Sequence, residues 1–279
     1  MKIGCHVSIA GGVDKAPERA HNLGCEVMQI FSRSPQGGKS ISISEEIAQQ
    51  FKLQAKSYQL QATYIHSPYY INFASAESRI RYGSVSAIRE ELERASLLEA
   101  KYVMTHLGSA KDLGEEEGKK KTIEMLIKTL EDYKGSAKLL LENSAGAGAI
   151  IGDDLAELGE IIKKVNSPAI AGICLDTQHS FASGYDWRDF EKTIERIDRE
   201  IGIKNIKLIH ANDSLTECGS KKDRHAHIGE GLIGLGAFKK IVRFAKENNI
   251  DMILETEHDK VMEDINLLKK VRKELMIKN

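Results

Sequence analysis

Short apolar runs alternate with longer stretches in which apolar residues recur every three or four positions among charged ones, and the alternation continues along the whole chain. The short runs read as buried strands and the long ones as amphipathic helices. In chain order the predicted strands are 2–7, 26–31, 62–65, 102–105, 138–141, 170–175, 206–209 and 251–254. Helices are predicted from the Gly11-Gly12 pair to about 23, from about 44, over 78–99, up to 133, over 153–165, 189–201 and 235–248, and finally to about 276. Ser44 and Glu46 suit the start of the second helix, where a hydroxyl caps free N–H groups and negative charge favours the dipole. The main interruptions are a Ser- and Gly-rich loop over 32–42 and a loop of about twenty residues after strand seven.

Strand followed by helix, eight times over and without a linker, predicts an α/β fold. The architecture is a single (β/α)8 TIM barrel spanning 1–279 as one domain, with its site at the C-terminal face of the strands. The polar residues then fall into order. Strands three to eight end in His66, His106, Glu142, Asp176, His210 and Glu255, and the following loops add His179, Asp223 and His225. The stretch Ala169 to Trp187 shows the unit most clearly: an apolar strand, a loop bearing Asp176 and His179, Gly184, then a charged helix.

Gathering unpaired carboxylates at one cavity is strongly unfavourable, so stability alone does not explain this clustering. Divalent cations resolve the conflict. Imidazole and carboxylate donors without cysteine suit Zn2+, Mn2+ or Fe2+ in a hydrolytic site, with a carboxylate able to bridge two ions. Nine donors exceed the needs of one ion, so at least two ions are expected; three would leave a surplus of about +2 over the four carboxylates, enough to attract a phosphodiester. That surplus matters because the formal net charge is -1, which excludes binding nucleic acid through a broadly basic surface. Local charge must serve, with Lys221, Lys222 and Arg224 in one loop as candidates. Lys119 to Lys121 and Lys163-Lys164 fall on helices and read as solvated faces.

Other features change the picture less. Composition is that of an ordinary globular chain, no apolar run reaches the roughly 18 to 20 residues of a membrane span, and a cytoplasmic protein is expected. Cys5, Cys25, Cys174 and Cys218 are scattered and read as reduced thiols. His6 and His227 are candidates to line the site or orient ligands, whereas His21 and His258 read as solvated. The glycine-rich run after Glu142 matches no complete phosphate loop.

The whole chain resembles the endonuclease IV family, metal-dependent nucleases that act at abasic sites in DNA. The motifs that carry the resemblance are Gly4-Cys5-His6-Val7-Ser8 with Gly11-Gly12, His66-Ser67-Pro68-Tyr69 and Leu141-Glu142-Asn143-Ser144-Ala145-Gly146. They continue with Leu175-Asp176-Thr177-Gln178-His179, His210-Ala211-Asn212-Asp213, the run Asp223-Arg224-His225-Ala226-His227-Ile228-Gly229-Glu230-Gly231, and Leu254-Glu255-Thr256. The resemblance implies three zinc ions per chain. His66 and His106 would hold one, and Glu142 would bridge it to a second completed by Asp176, His210 and Glu255. His179, Asp223 and His225 would hold the third. A metal-bridging hydroxide would attack the phosphorus 5′ to the abasic sugar, with Glu142 and Glu255 as the catalytic carboxylates. The products would be a 3′-hydroxyl and a 5′-deoxyribose phosphate, with removal of 3′ blocking groups as a second activity. The partner would be duplex DNA, bound by a monomer and contacted by Tyr69, Gln36, Asn212, Arg224, His6 and Ser8. One departure stands out. The family's arginine and tryptophan wedge after strand two is here Ser34-Pro35-Gln36-Gly37-Gly38, with Gln36 the nearest substitute. The alternatives are a metal-dependent sugar isomerase or epimerase of the xylose-isomerase-like barrels, which needs fewer donors, and a non-catalytic DNA-binding module, which needs more positive charge.

Overall fold

Each short apolar run is extended because its side chains are β-branched or bulky and have apolar surroundings on both faces. The computed structural model describes residues 1–38 and 42–277; residues 39–41 of the expected Ser- and Gly-rich loop, and the last two of the expected 1–279 domain, lie outside them. The barrel strands are β1 (Ile3–His6), β2 (Val27–Phe31), β3 (Thr63–His66), β4 (Tyr102–Thr105), β5 (Lys138–Glu142), β6 (Ile170–Asp176) and β7 (Ile206–His210). After the two-residue strands β8 (Asp213–Ser214) and β9 (His225–Ala226), β10 (Asp251–Leu254) completes the set. The order β1-β10-β7-β6-β5-β4-β3-β2 closes on itself, and every barrel pairing is parallel. This is the TIM barrel the pattern predicts.

Helices α1 (Ala16–Asn22), α2 (Glu45–Ser57), α3 (Ser78–Leu97), α4 (Glu115–Leu130) and α5 (Leu155–Val165) follow the first five strands. Then come α6 (Thr177–Ala182), α7 (Phe190–Ile201), α8 (Gly234–Glu247) and α9 (Val261–Ile277). Ser44 caps α2 as expected, its hydroxyl accepting from the Ile47 N–H at 3.2 Å. Lys119 to Lys121 on α4 and Lys164 on α5 pair with acidic neighbours, such as Lys119 with Glu160 at 3.1 Å and Lys164 with Glu160 at 2.6 Å. Among the described residues, no helix is long and apolar enough to cross a membrane.

Two local features differ from the sequence expectation, and both lie at the C-terminal face. The stretch after β6, expected as a loop, begins with the short helix α6, because Asp176 ends the strand and caps the helix in one step, accepting from the His179 N–H at 2.8 Å. The long loop after β7 contains an antiparallel pair, Asp213 with Ala226 and Ser214 with His225. Local pattern could not show this pair, which joins residues far apart in the loop through two strands of two residues each.

A ring of polar side chains above an apolar one

Inside the barrel, Val27, Tyr64, Met104, Leu140, Cys174, Leu208 and Ile253 form one fully buried cluster, a single residue from each of seven strands. Gly4 occupies the same level on β1, in register with Val27 and Ile253, where an added methyl group would collide with the Val27 carbonyl. Successive side chains on a strand alternate faces, so the residue two further on also points inward, one layer up. Applied to all eight strands, that step yields His6, Gln29, His66, His106, Glu142, Asp176, His210 and Glu255. An apolar floor thus carries a polar ring. Glu142, Asp176, His210 and Gln29 are wholly buried in it. The cavity above has a volume of about 450 Å³ and is lined by His6, His66, His106, His179, Asp223, His225 and Glu255, together with Phe31, Tyr69 and Thr256 to His258.

The rings are oriented by their outer nitrogens. His66 Nδ1 lies 2.7 Å from the Ser67 carbonyl, His179 Nδ1 3.0 Å from the Asn143 carbonyl and His225 Nδ1 3.4 Å from the Glu255 carbonyl. A carbonyl only accepts, so each Nδ1 donates and each Nε2 is turned toward the carboxylates. His210 is reversed: Nε2 lies 2.7 Å from Gln29 Oε1, freeing Nδ1 to face Glu142 at 2.8 Å and Glu255 at 3.2 Å. Gln29 Nε2 in turn donates to Glu255 at 2.6 Å.

Free ring nitrogens and carboxylate oxygens converge in overlapping groups whose members lie within 4.8 Å of one another. They are His66 with His106 and Glu142; Glu142 with Asp176, His210 and Glu255; Asp176 with His179 and His225; and Glu142 with His210 and Cys174, a thiol that burial raises to about 12. Asp223 stands beside the third, 3.4 Å from His179 Nε2 and 3.3 Å from His225 Nε2. Glu142 Oε2 and His225 Nε2 are buried and make no well-formed hydrogen bond, although His66 Nε2 lies 3.2 Å from the first and Asp223 3.3 Å from the second. Buried polar atoms left in that condition are costly, and these two point into groups of donors that a divalent cation would satisfy.

The cluster's electrostatics follow. Burial works against the His179 imidazolium, but Asp176, Asp223 and Glu142 outweigh it and carry the ring up to about 10. Burial would raise the Asp223 carboxyl, yet His179 and His225 pull it down to about 2. Glu142, likewise opposed by burial, is held well below the usual range by His106, His210 and His66.

A family model described as xylose isomerase-like TIM barrel matches residues 17–276. A protein named Probable endonuclease 4 from Cenarchaeum symbiosum is 37% identical over 280 residues, covering 98% of this chain and 99% of that one. The chain belongs to the endonuclease IV family. Among solved structures, endonuclease IV from Thermus thermophilus superposes with a TM-score of 0.86 at 29% identity, covering the whole of both chains. A D-tagatose 3-epimerase-like protein also shares the fold, with a TM-score of 0.76 at 23% identity and coverage of 100% of this chain and 99% of that one.

Within this endonuclease IV chain, the nine residues singled out as metal ligands all converge on the cavity or its floor, although Asp176 joins His179 and His225 more closely than the sequence reading assigned. Asn212 requires a correction. Expected as a DNA contact, it is fully buried: its amide donates to Asp176 at 2.7 Å and its oxygen accepts from the Glu255 N–H at 2.9 Å. It orients two carboxylates and is closed to a macromolecule. Tyr69 is exposed at the cavity rim, Gln36, Ser8 and Arg224 are exposed, and His6 lines the cavity wall. Burial pushes the His6 imidazolium down to about 3, so this ring meets a ligand as a neutral group. The arginine that the β2 loop does contain, Arg33, turns inward to pair with Glu91 and, at 3.0 Å, Glu90 on α3.

Sequence reading missed Gln29, Asn143 and His258. Gln29 was findable, because it stands two residues beyond an inward apolar residue, as the other ring members do. Asn143 accepts from the Asp176 N–H at 2.7 Å while its own carbonyl holds His179, a role set by backbone proximity alone. His258, expected to be solvated away from the site, is exposed yet lines the cavity, with Nε2 3.1 Å from the His6 carbonyl. His227 does not reach the cavity and pairs with Asp264 instead.

Proposed function

We propose that this chain is a metal-dependent DNA repair endonuclease that hydrolyses the phosphodiester 5′ to abasic sites in duplex DNA. It leaves a 3′-hydroxyl and a 5′-deoxyribose phosphate, and also clears blocked 3′ ends. One observation carries the reading: overlapping groups of buried imidazole and carboxylate donors, two of whose atoms make no well-formed hydrogen bond, in a chain whose relatives are named endonuclease 4. The overlap at Glu142 and Asp176 suits three zinc ions sharing bridging carboxylates, with Mn2+ as a substitute.

His66, His106 and Glu142 would hold the first ion; Glu142, Asp176, His210 and Glu255 the second; His179, His225, Asp223 and Asp176 the third. When bound, such ions supply the positive charge that offsets the phosphodiester and the acidity that makes water nucleophilic at neutral pH. The protein's share is geometric. Gln29 and Asn212 fix Glu255, Asn143 fixes His179, and the apolar ring beneath excludes water from the floor. An abasic nucleotide reaches such a cavity at low cost because no base pair or stack holds it in the duplex. Tyr69, exposed at the rim, and Gln36, exposed in the loop after β2, would meet the gap it leaves. Residues 1–279 act as one domain, working as a monomer in the cytoplasm, since the cavity must face duplex DNA along an open side.

The test is incision of a duplex carrying one abasic site, before and after chelation, with metal content measured on the same preparation. Cutting on the 5′ side, with about three zinc equivalents, is expected. No cutting by a folded, metal-replete sample would overturn the reading and direct attention to sugar substrates.

A further inference from the structure

The loop that carries Asp223 and His225 is fastened by residues that do not face the cavity. At its start, the fully buried Asp213 accepts from the backbone N–H groups of Gly229 and Ile233, both at 2.9 Å, and of Gly234 at 3.2 Å. The turn fits so closely over that carboxylate that a side chain at Gly231 would collide with it. Asp264 in the first turn of α9, 3% exposed, makes the second fastening. Its Oδ1 accepts from the Ile228 N–H at 2.9 Å, and its Oδ2 accepts from Thr256 Oγ1 at 2.8 Å and meets His227 Nδ1 at 2.7 Å. His227 Nε2 reaches Asp259 at 3.1 Å, so the ring is held on both sides.

One buried carboxylate therefore ties three segments: the loop just beyond His225, the residue directly after Glu255, and α9. We propose that Asp264, acting through His227 and Thr256, is a positioning residue that sets the spacing between Glu255 and the His225–Asp223 arm, and with it the affinity of the His179–His225 group for its divalent cation. The proposal rests on the metal-binding reading above. Partners that orient ligands in this indirect way commonly govern metal affinity by about 10–100-fold. An asparagine at 264 would carry one acceptor oxygen in place of two and no charge, so the Ile228 tie would become a neutral hydrogen bond, and Thr256 Oγ1 and His227 Nδ1 would have to turn from donors into acceptors of its NH2.

The test compares wild type with Asp264→Asn, Asp264→Glu and His227→Gln. Each metal-replete protein is treated with graded chelator and desalted, and its remaining zinc is counted; melting of the metal-free forms is followed in parallel. Asp264→Asn is expected to release one zinc equivalent at about tenfold or more lower chelator than wild type, the other equivalents leaving as before. Excess zinc should restore kcat, and Asp264→Glu should recover part of the affinity. A wild-type release profile in Asp264→Asn, or parallel loss of every equivalent, would overturn the proposal, whatever the metal-free melting shows. If Asp264→Asn does not fold, His227→Gln decides by the same two criteria, since its ring is partly exposed and its loss leaves the Ile228 and Thr256 ties intact. Wild-type protein that binds no cation would overturn both this proposal and the functional reading; three equivalents held identically in wild type and variants would overturn this one alone.

Discussion

Two rings of residues, one layer apart inside the same barrel, show what each part of this chain is for. The lower ring, Gly4, Val27, Tyr64, Met104, Leu140, Cys174, Leu208 and Ile253, is apolar except for the Tyr64 hydroxyl, which donates to Asp251 at 2.7 Å, and the Cys174 thiol beneath His210. The upper ring, from His6 to Glu255, continues the same strands and is buried except at the half-buried His6, His106 and Glu255, but packs carboxylates against imidazoles and leaves Glu142 Oε2 without a well-formed hydrogen bond, as His225 Nε2 is on the loop above. A shared backbone with opposite chemistry separates a layer of packing side chains from one of metal-binding side-chain types.

The sharpest way to break the contrast is Glu142→Gln in the upper ring. The shared donor of two groups would lose its charge, and we expect cleavage of abasic duplex to fall by about a thousandfold or more while the far-ultraviolet spectrum is unchanged. A loss below about tenfold would show that Glu142 is not the shared ligand. Next, His225→Ala should remove one zinc equivalent and most activity, leaving the fold intact; full cleavage by this variant would remove the third group from the reading.

The lower ring should respond in the opposite sense. Leu208→Ala, at a wholly buried position, is expected to lower unfolding free energy by about 2–5 kcal/mol with kcat within a few-fold of wild type at a permissive temperature. An activity loss larger than the stability loss would mean the floor shapes the reaction as well.

Acid offers a smaller test of the same contrast. His179 is raised from 6.5 to about 10, so its favourable contribution to the metal-free fold is fully present below about pH 6.5 and is lost as pH rises through about 10. A ligating ring must be neutral. Loading zinc at about pH 7.5 should therefore expel about one proton from His179, and affinity should weaken as pH falls. Calorimetry in two buffers of different ionisation enthalpy checks this, and zero proton release would show the ring to be neutral beforehand. The smallest effect is expected at the rim, where Tyr69→Ala should raise KM for abasic duplex by about tenfold with little change in kcat.

Much of this was legible along the chain. Eight alternations of apolar run and amphipathic stretch specify a barrel, because a parallel sheet buried on both faces demands continuous apolar strands and a crossover helix after each. The ring of donors was legible for the same reason: strand ends in this fold share one face, so His66, His106, Glu142, Asp176, His210 and Glu255 are brought together by topology alone. What pattern could not supply were relations between segments far apart in sequence. Only the folded chain shows that Asn212 is sealed behind Asp176 and Glu255, that Arg33 is spent on Glu90 and Glu91, and that His258 turns back to the His6 carbonyl. Periodicity reports which way a side chain leaves its own strand, and so determines the ring; which neighbour satisfies a polar atom depends on distances between loops, and those exist only once the barrel has closed.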